Sequence, residues 1–364
     1  MPGTTANNWP HCGRRDGFMK NTTLTPRTPV YIIGSASVVG QQERKGPIGA
    51  SFDISEKDDF GMDSFEKAEA KMQCLALGCA MSKAGLTEAD LDCMLAGDLI
   101  NPCISSSYGL MDYRIPYFGL YGACSTCAEG LLLGTLLCGC QQDITRCAAV
   151  TSSHYCSAER QFRFPLEYGG QRAPTAQWTV TGAGAFLLSA NQEDICRMGG
   201  ICAAEIAECL PGCIIDRGIS DVNNMGAAMA PAAVHTLTRY FEAGHSPSEF
   251  DLIVTGDLGK EGSGILTDLM HAAGYDISGN HTDCGNIIYN AEETDKHAGG
   301  SGCGCSAVVL SANILSNLTA GILKDVLFVG TGALMNTMSL NQKQSIPGIA
   351  HLVRIRAAEK GNLV

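Results

Sequence analysis

The chain has 364 residues, 45% of them hydrophobic and 17% charged, and a formal net charge of −12. That size and apolar content suit two domains, or one large double domain, around a sizeable core. The acidic balance excludes non-specific nucleic-acid binding, which needs clustered Lys and Arg to neutralise phosphates, so any bound anion must sit in a local pocket.

Residues 1 to about 28 read as a loose polar arm, without the apolar run and cleavage site of a secretory signal. No stretch approaches 18 uninterrupted apolar residues, so no membrane-spanning helix is expected. The 18 cysteines are then expected as reduced thiols in an intracellular compartment. Many sit in apolar runs such as "LLCGC", where a free cysteine acts as a small hydrophobe. "PVYIIGSASVVG" is the first strand, β-branched and closed by glycine. After a polar loop, "SFEKAEAKMQCLALGCAMSKA" predicts a helix from Ser64 to about Ala84, with Ser64 as N-cap and Gly85 as its stop. "LTEADLDCMLAGDLI" predicts a turn and a buried strand. The chain is then helix-poor until "IPYFGLYGACSTCAEGLLLGTLLCGC", which reads strand, elbow, helix. "RCAAVTSSH" is a strand, "ERQFRFPLEYGGQRAPTAQW" a long polar and aromatic loop, and "VTGAGAFLLSA" the strand that closes this half.

The second half repeats the plan. "SEFDLIVTGDLG" (248–259) echoes "ADLDCMLAGDLI" (89–100), and "GSGCGCSAVVLSANILSNLTAGILKDVLFVGTGA" (300–333) echoes "YGACSTCAEGLLLGTLLCGCQQDITRCAAVTSS" (121–153). The pattern predicts an α/β fold of two similar units packed as a pseudo-twofold pair, with parallel-rich sheets layered with helices. Two unrelated α/β domains are the alternative. The halves are expected at 29–200 and 201–351, between the arm at 1–28 and a tail at 352–364.

Cys124 stands where the "YGACST" turn enters an apolar helix. A cysteine at a helix N-terminus faces unpaired N–H groups and the positive end of the macrodipole, which favour thiolate. The same groups can hold an oxyanion or a carboxylate. The turn therefore supports attack on an acyl carbonyl or capture of an anion; its blandest reading is a small buried residue at a tight turn. Cys124 and Cys127 also form a Cys-x-x-Cys. A redox pair needs a thioredoxin-like unit, which this plan does not resemble. Zinc needs two further ligands, and Cys303 and Cys305 lack zinc-ribbon spacing. No metal and no cofactor are expected.

The duplication together with "YGACST" resembles the thiolase fold of thiolases and ketoacyl synthases. That resemblance implies an acyl-accepting elbow cysteine, here Cys124, helped by two groups of the second half: two His, His and Asn, or His and a second Cys. Where the synthase His would stand the chain has Gly256 and Asp257. Where the Asn would stand, "HAGGSGCGCSA" has Gly299 and Gly300. A carboxylate in place of an imidazole raises a nearby thiol's pKa, and glycine has no side chain to donate. His297, close by in sequence, is the candidate for a displaced helper. The elbow is thus expected without its catalytic apparatus.

The stretches "GPIGASFD", "AGDLINP", "YGACST", "TSSHYCSAERQFRFPLEYGGQ", "VTGAGA", "MGAAMAPAAVHT", "FDLIVTGDLG", "DCGNIIYN", "AGGSGCGCSAVVLS" and "GTGALMN" together resemble the stage V sporulation protein AD family, from about Pro29 to about His351. The resemblance implies a thiolase-like fold without demonstrated thiolase chemistry. It implies binding of dipicolinic acid, free or as its calcium chelate. It also implies a place as the soluble component of the spore dipicolinate-uptake machinery, peripheral at the spore inner membrane beside integral-membrane subunits. The competing functions are a ketoacyl-synthase-like acyltransferase using Cys124 with His297 or His154, and a purely structural adaptor. A homodimer, as in thiolases, is a further expectation.

Dipicolinate is a planar dianion, so its site needs cationic or N–H donors and a flat wall. The segment 152–172 holds His154, Arg160, Arg163 and Arg172 with Tyr155, Phe162, Phe164 and Tyr168, and arginine forks match carboxylates. The alternative is a surface loop whose arginines pair with Glu159 and Glu167. The expected site sets one carboxylate at the Cys124 helix N-terminus and the other on an Arg of the 160–172 loop, with the Gly-rich turn at 299–304 close to the ring; Cys124, His154, Arg160, Arg163, Tyr168 and Gly300 are its expected ligand-binding residues. Asp216 and Asp221 either contact a ligand's calcium or cap turns. Met225 and Met229 are expected in the core.

Overall fold

The computed structural model describes residues 23–163, 165–197, 204–290 and 295–358. In chain order its strands are β1 Val30–Val39, β2 Ile54–Ser55, β3 Cys93–Gly97, β4 Tyr117–Leu120, β5 Arg146–Ser153, β6 Trp178–Thr179 and β7 Gly182–Ser189 in the first half. The second half has β8 Ala204–Leu210, β9 Leu252–Thr255, β10 His281–Asp283, β11 Gly300–Ser301, β12 Asp325–Ala333 and β13 Gly348–Ala357. The main sheet runs β10-β9-β12-β13-β8-β1-β7-β5-β3-β4, with β2 beside β1, while β6 and β11 pair separately. The order is symmetric about its middle. There β1 lies antiparallel to β8, and β7, β5, β3 and β4 answer β13, β12, β9 and β10. The duplication read in the sequence is thus a pseudo-twofold in the fold.

Strand alternation sorts the core into layers, because successive side chains point to opposite faces. On β12, Val326 and Phe328 face a central layer that includes Leu131 and Leu132 of the elbow helix Thr126–Cys140. Leu327 and Val329 face an outer layer with Met229 and Leu237 of helix Met225–Glu242. On the other half, Met72, Ala76 and Leu77 of helix Phe65–Ala84 pack with Ile33, Val38 and Leu187. Its ends are as expected: Ser64 Oγ accepts from Lys67 N–H at 3.3 Å, and Gly85 closes it at φ +66°. The elbow helix is apolar all round because both its sides are covered. The helix over Ala123–Cys140 is long and apolar enough to cross a membrane by length and composition alone; here it is a mostly buried core helix.

Three expectations need correction. Leu24 exchanges backbone hydrogen bonds with Cys209 (2.7 and 2.9 Å), and Thr28 N–H donates to Gly139 O at 3.0 Å, so the end of the supposed arm is docked. Residues 1–22 lie outside the described residues. Residues 352–357 are not tail but the second half of β13, paired with both β12 and β8. A helix at Ile104–Leu110 interrupts the supposedly helix-poor stretch. Its serines have weak propensity, but Ser106 is drawn into a buried network that overrides it. Fifteen of the described cysteines are thiols that form no disulfide.

Candidate functional site

The Cys124 turn is built by small residues and local hydrogen bonds. Ala123 has φ +52°, a left-handed conformation that costs a residue with a Cβ about 1 kcal/mol. Its neighbours hold it there. Gly122 N–H donates to Thr126 Oγ1 at 3.1 Å, Thr126 Oγ–H to Ala123 O at 2.7 Å, and Ser125 Oγ–H to Gly122 O at 2.6 Å. On β12, a Cβ at Gly332 would come within 2.9 Å of Ser125 N, so glycine lets the strand run against the turn. The thiol, on a residue 6% exposed, sits at the floor of a cleft of about 220 Å³.

Behind the thiol stands Asp257, from the Gly-Asp-Leu turn after β9. Its Oδ2 accepts from Gly302 N–H at 2.8 Å and its Oδ1 from Thr331 Oγ–H at 2.8 Å. The same carboxyl is the charged group that acts most strongly on the Cys124 thiol. Burial first, and then the Asp257 charge, push the Cys124 pKa well above that of a free thiol, and the N–H groups of Gly302 and Ala333 counter this only in part. The elbow is present and its nucleophile is held protonated.

The cleft wall is aromatic, amide-rich and electrically near balance. Tyr121 and Phe162 contribute flat surfaces, and Asn101, Gln161, Asn223 and Asn336 contribute amides. Arg163 is its cation. It donates from Nε to Glu159 Oε2 at 3.0 Å and pairs through Nη2 as well. Glu159 in turn is fixed by Thr179 N–H, which donates to its Oε1 at 2.6 Å. Two lining atoms are buried without a hydrogen-bond partner, Gln177 Oε1 and Ser301 Oγ. Gln177 has spent its amide on Asp257 O (2.6 Å) and Gly300 O (2.8 Å), which aims its oxygen away from both. An unmet buried polar atom costs about 1–3 kcal/mol, a local cost carried by the residues of this wall.

Of the ligand-binding residues expected from the sequence, Cys124 and Arg163 line the cleft, and His154, Arg160, Tyr168 and Gly300 do not. Arg160 is exposed on a short 3-10 turn. Tyr168 is 64% exposed, away from the cleft. Gly300 is buried in β11, its carbonyl bound to Gln177, and its neighbour Ser301 takes the lining position. His154 is an interior helix cap: its Nδ1 accepts from Cys156 N–H at 3.1 Å and its Nε2 lies 2.7 Å from Asp58 O. Burial lowers its pKa and keeps it neutral. His297 pairs with the exposed Asp295 at 2.8 Å and is not part of the cleft. Neither imidazole is a helper for Cys124. Phe164 lies outside the described residues. Arg172 lies behind the wall on Trp178, with its guanidinium 4.7 Å from the ring centre. Asp216 and Asp221 make local turns, accepting from Gly218 N–H at 2.8 Å and Asn223 N–H at 2.9 Å. Met229 is core as expected, whereas Met225 lines the cleft. Among the described residues no group of three or more His, Cys, Asp or Glu could hold a metal. Gln177 carried no motif; Ser301 was findable from the repeat, which aligns it with Gly122.

A family model described as Stage V sporulation protein AD matches residues 20–356. Stage V sporulation protein AD of Bacillus subtilis (strain 168) is 39% identical over 325 residues, covering 89% of this chain and 93% of that one. Among solved structures, an OleA variant of Xanthomonas campestris has a TM-score of 0.57 at 12% identity, covering 92% of this chain and 99% of that one. The 3-oxoacyl-(acyl-carrier-protein) synthase III of Aquifex aeolicus has a TM-score of 0.50 at 11% identity, covering 90% and 99%. At such identities these two speak for the thiolase-like fold alone.

Proposed function

The chain belongs to the stage V sporulation protein AD family, and on that premise we propose that its cleft binds dipicolinic acid without covalent chemistry. The observation that carries this reading is the pairing of a carboxyl-backed Cys124, whose pKa is pushed up, with a cleft wall of Tyr121, Phe162, Arg163 and side-chain amides. The first argues against acyl transfer; the second argues for a ligand. Tyr121 and Phe162 would flank the ring, while Arg163 and the amides meet the carboxylates. Because Arg163 is already balanced by Glu159, the calcium chelate, whose charge is neutralised, is the form the cleft favours over the free dianion. We extend the proposal to a peripheral place at the spore inner membrane beside integral-membrane subunits. We also extend it to a homodimer formed along the β4 edge, which exposes Tyr117 and Phe118.

Calorimetric titration of dipicolinate, with and without calcium, tests the reading. Wild type should bind saturably, Arg163→Ala about tenfold or more weakly, and Arg160→Ala as wild type. No saturable binding by the wild type would refute the function, and an unchanged Arg163→Ala would refute the site.

A further inference from the structure

The geometry points to Asp257 as a built-in carboxylate ligand that permanently fills the anion hole beside Cys124. Two donors converge on one buried carboxyl beside the Cys124 thiol: the Gly302 N–H and the Thr331 hydroxyl, each at 2.8 Å. Thr331 Oγ1 also accepts from Asp257 N–H at 3.2 Å, closing the arrangement on itself. These are the groups an external carboxylate or a developing oxyanion would use beside the thiol. With Asp257 in place the hole is satisfied and negative, and Asp257 itself is only 1% exposed.

The role follows from where the carboxyl sits. Its proton affinity is raised by burial and eased by its donors, while the neighbouring thiol is pushed the other way from reactivity. Asp257 is therefore neither a general base, since it cannot open toward solvent without losing both 2.8 Å bonds, nor a spare surface acid. It keeps Cys124 in the thiol form and turns any ligand carboxylate toward the Arg163 side of the cleft. The inference holds whatever molecule the cleft takes, and it does not depend on the dipicolinate reading.

The test reads Cys124 alone by peptide mapping after treatment with iodoacetamide near pH 8. In that reaction the thiol loses its proton, sulfur bonds to the methylene carbon and iodide leaves. Wild-type Cys124 should be modified slowly. Asp257→Asn keeps the size and removes the charge, and should speed modification about tenfold or more, one pKa unit being tenfold in thiolate. Asp257→Ala supplies a second arm: added formate should refill the vacated position, raise the variant's thermal midpoint and slow its Cys124 modification, with no effect of formate on wild type. Fast modification of wild-type Cys124 overturns the inference. So does a folded Asp257→Ala whose midpoint and Cys124 reactivity ignore formate.

Discussion

Each half of the molecule carries the same device, a Gly-Asp-Leu turn after a strand and a cysteine turn before a central helix, and the two have diverged. In the second half Asp257 stands behind Cys124 and takes the Gly302 N–H at 2.8 Å. Its counterpart Asp98 turns into the interior, where Ser106 donates to its Oδ2 from N–H (2.8 Å) and Oγ–H (2.6 Å), and Ile100 N–H donates to its Oδ1 at 2.8 Å. The cysteines differ likewise. Cys124 floors a cleft, whereas Cys303 is fully buried and donates to Ser152 O at 3.0 Å. Each aspartate also has a second buried carboxyl near it: Glu69 beside Asp98, and Asp283 beside Asp257. The two Gly-Asp-Leu turns thus end in different hydrogen-bond networks, one on Gly302 and Thr331 beside the cleft and one on Ser106 and Ile100.

If the interior device is structural, it should be the costlier one to break. Asp98→Ala strands the donors of Ser106 and Ile100 and should lose about 3 kcal/mol, read as a lower urea midpoint. A smaller loss than in Asp257→Asn would erase the distinction. The residues before the two cysteines sharpen it further. Gly302 has φ +95°, and a Cβ there would meet Ser153 Oγ at 2.7 Å, so Gly302→Ala should cost about 2 kcal/mol.

The interior carboxyls also predict a pH dependence. Burial pushes Glu69 up to about 8 from 4.5, with Asp98 adding to the rise, and burial pushes Asp283 up to about 7 from 3.8. A carboxyl whose folded pKa lies above its unfolded value stabilises fully below the unfolded value, and that contribution is lost as pH rises through the folded one. Wild-type stability should therefore fall relative to Glu69→Gln between about pH 4.5 and pH 8, by up to about 1.4 kcal/mol per pH unit. Paired urea titrations across that range check it; a constant difference would mean that Glu69 is ionised throughout. The smallest effect is a gain. Ala123→Gly relieves the φ +52° strain and should stabilise by up to about 1 kcal/mol, an increase in thermal midpoint that would mark the elbow as strained where its counterpart is not.

The architecture was legible because its signals are local. Period-two strands, the Ser64 cap, the Gly85 stop and the echoed Gly-Asp-Leu and cysteine turns depend on residues adjacent in sequence. The absence of an imidazole beside Cys124 was legible too, since the position after β9 reads Gly256-Asp257. The walls of the cleft were not. Arg160 and Arg163 look alike in the sequence, and only Glu159, pinned by Thr179 N–H from β6, draws Arg163 inward. His154 and His297 carried no mark of being a buried cap and a surface ion pair.

A duplicated α/β fold and an elbow cysteine without its usual helpers follow from the order of residues alone, because hydrophobic period and turn chemistry are written residue by residue. Packing between distant elements fixes that Asp257 takes the donors beside Cys124, that Arg163 is held at the cleft by Glu159, and that Asp98 binds Ser106 and Ile100 instead. Those outcomes depend on which groups meet across elements tens to hundreds of residues apart, where burial and hydrogen-bond geometry, not local pattern, set each side chain's charge and direction.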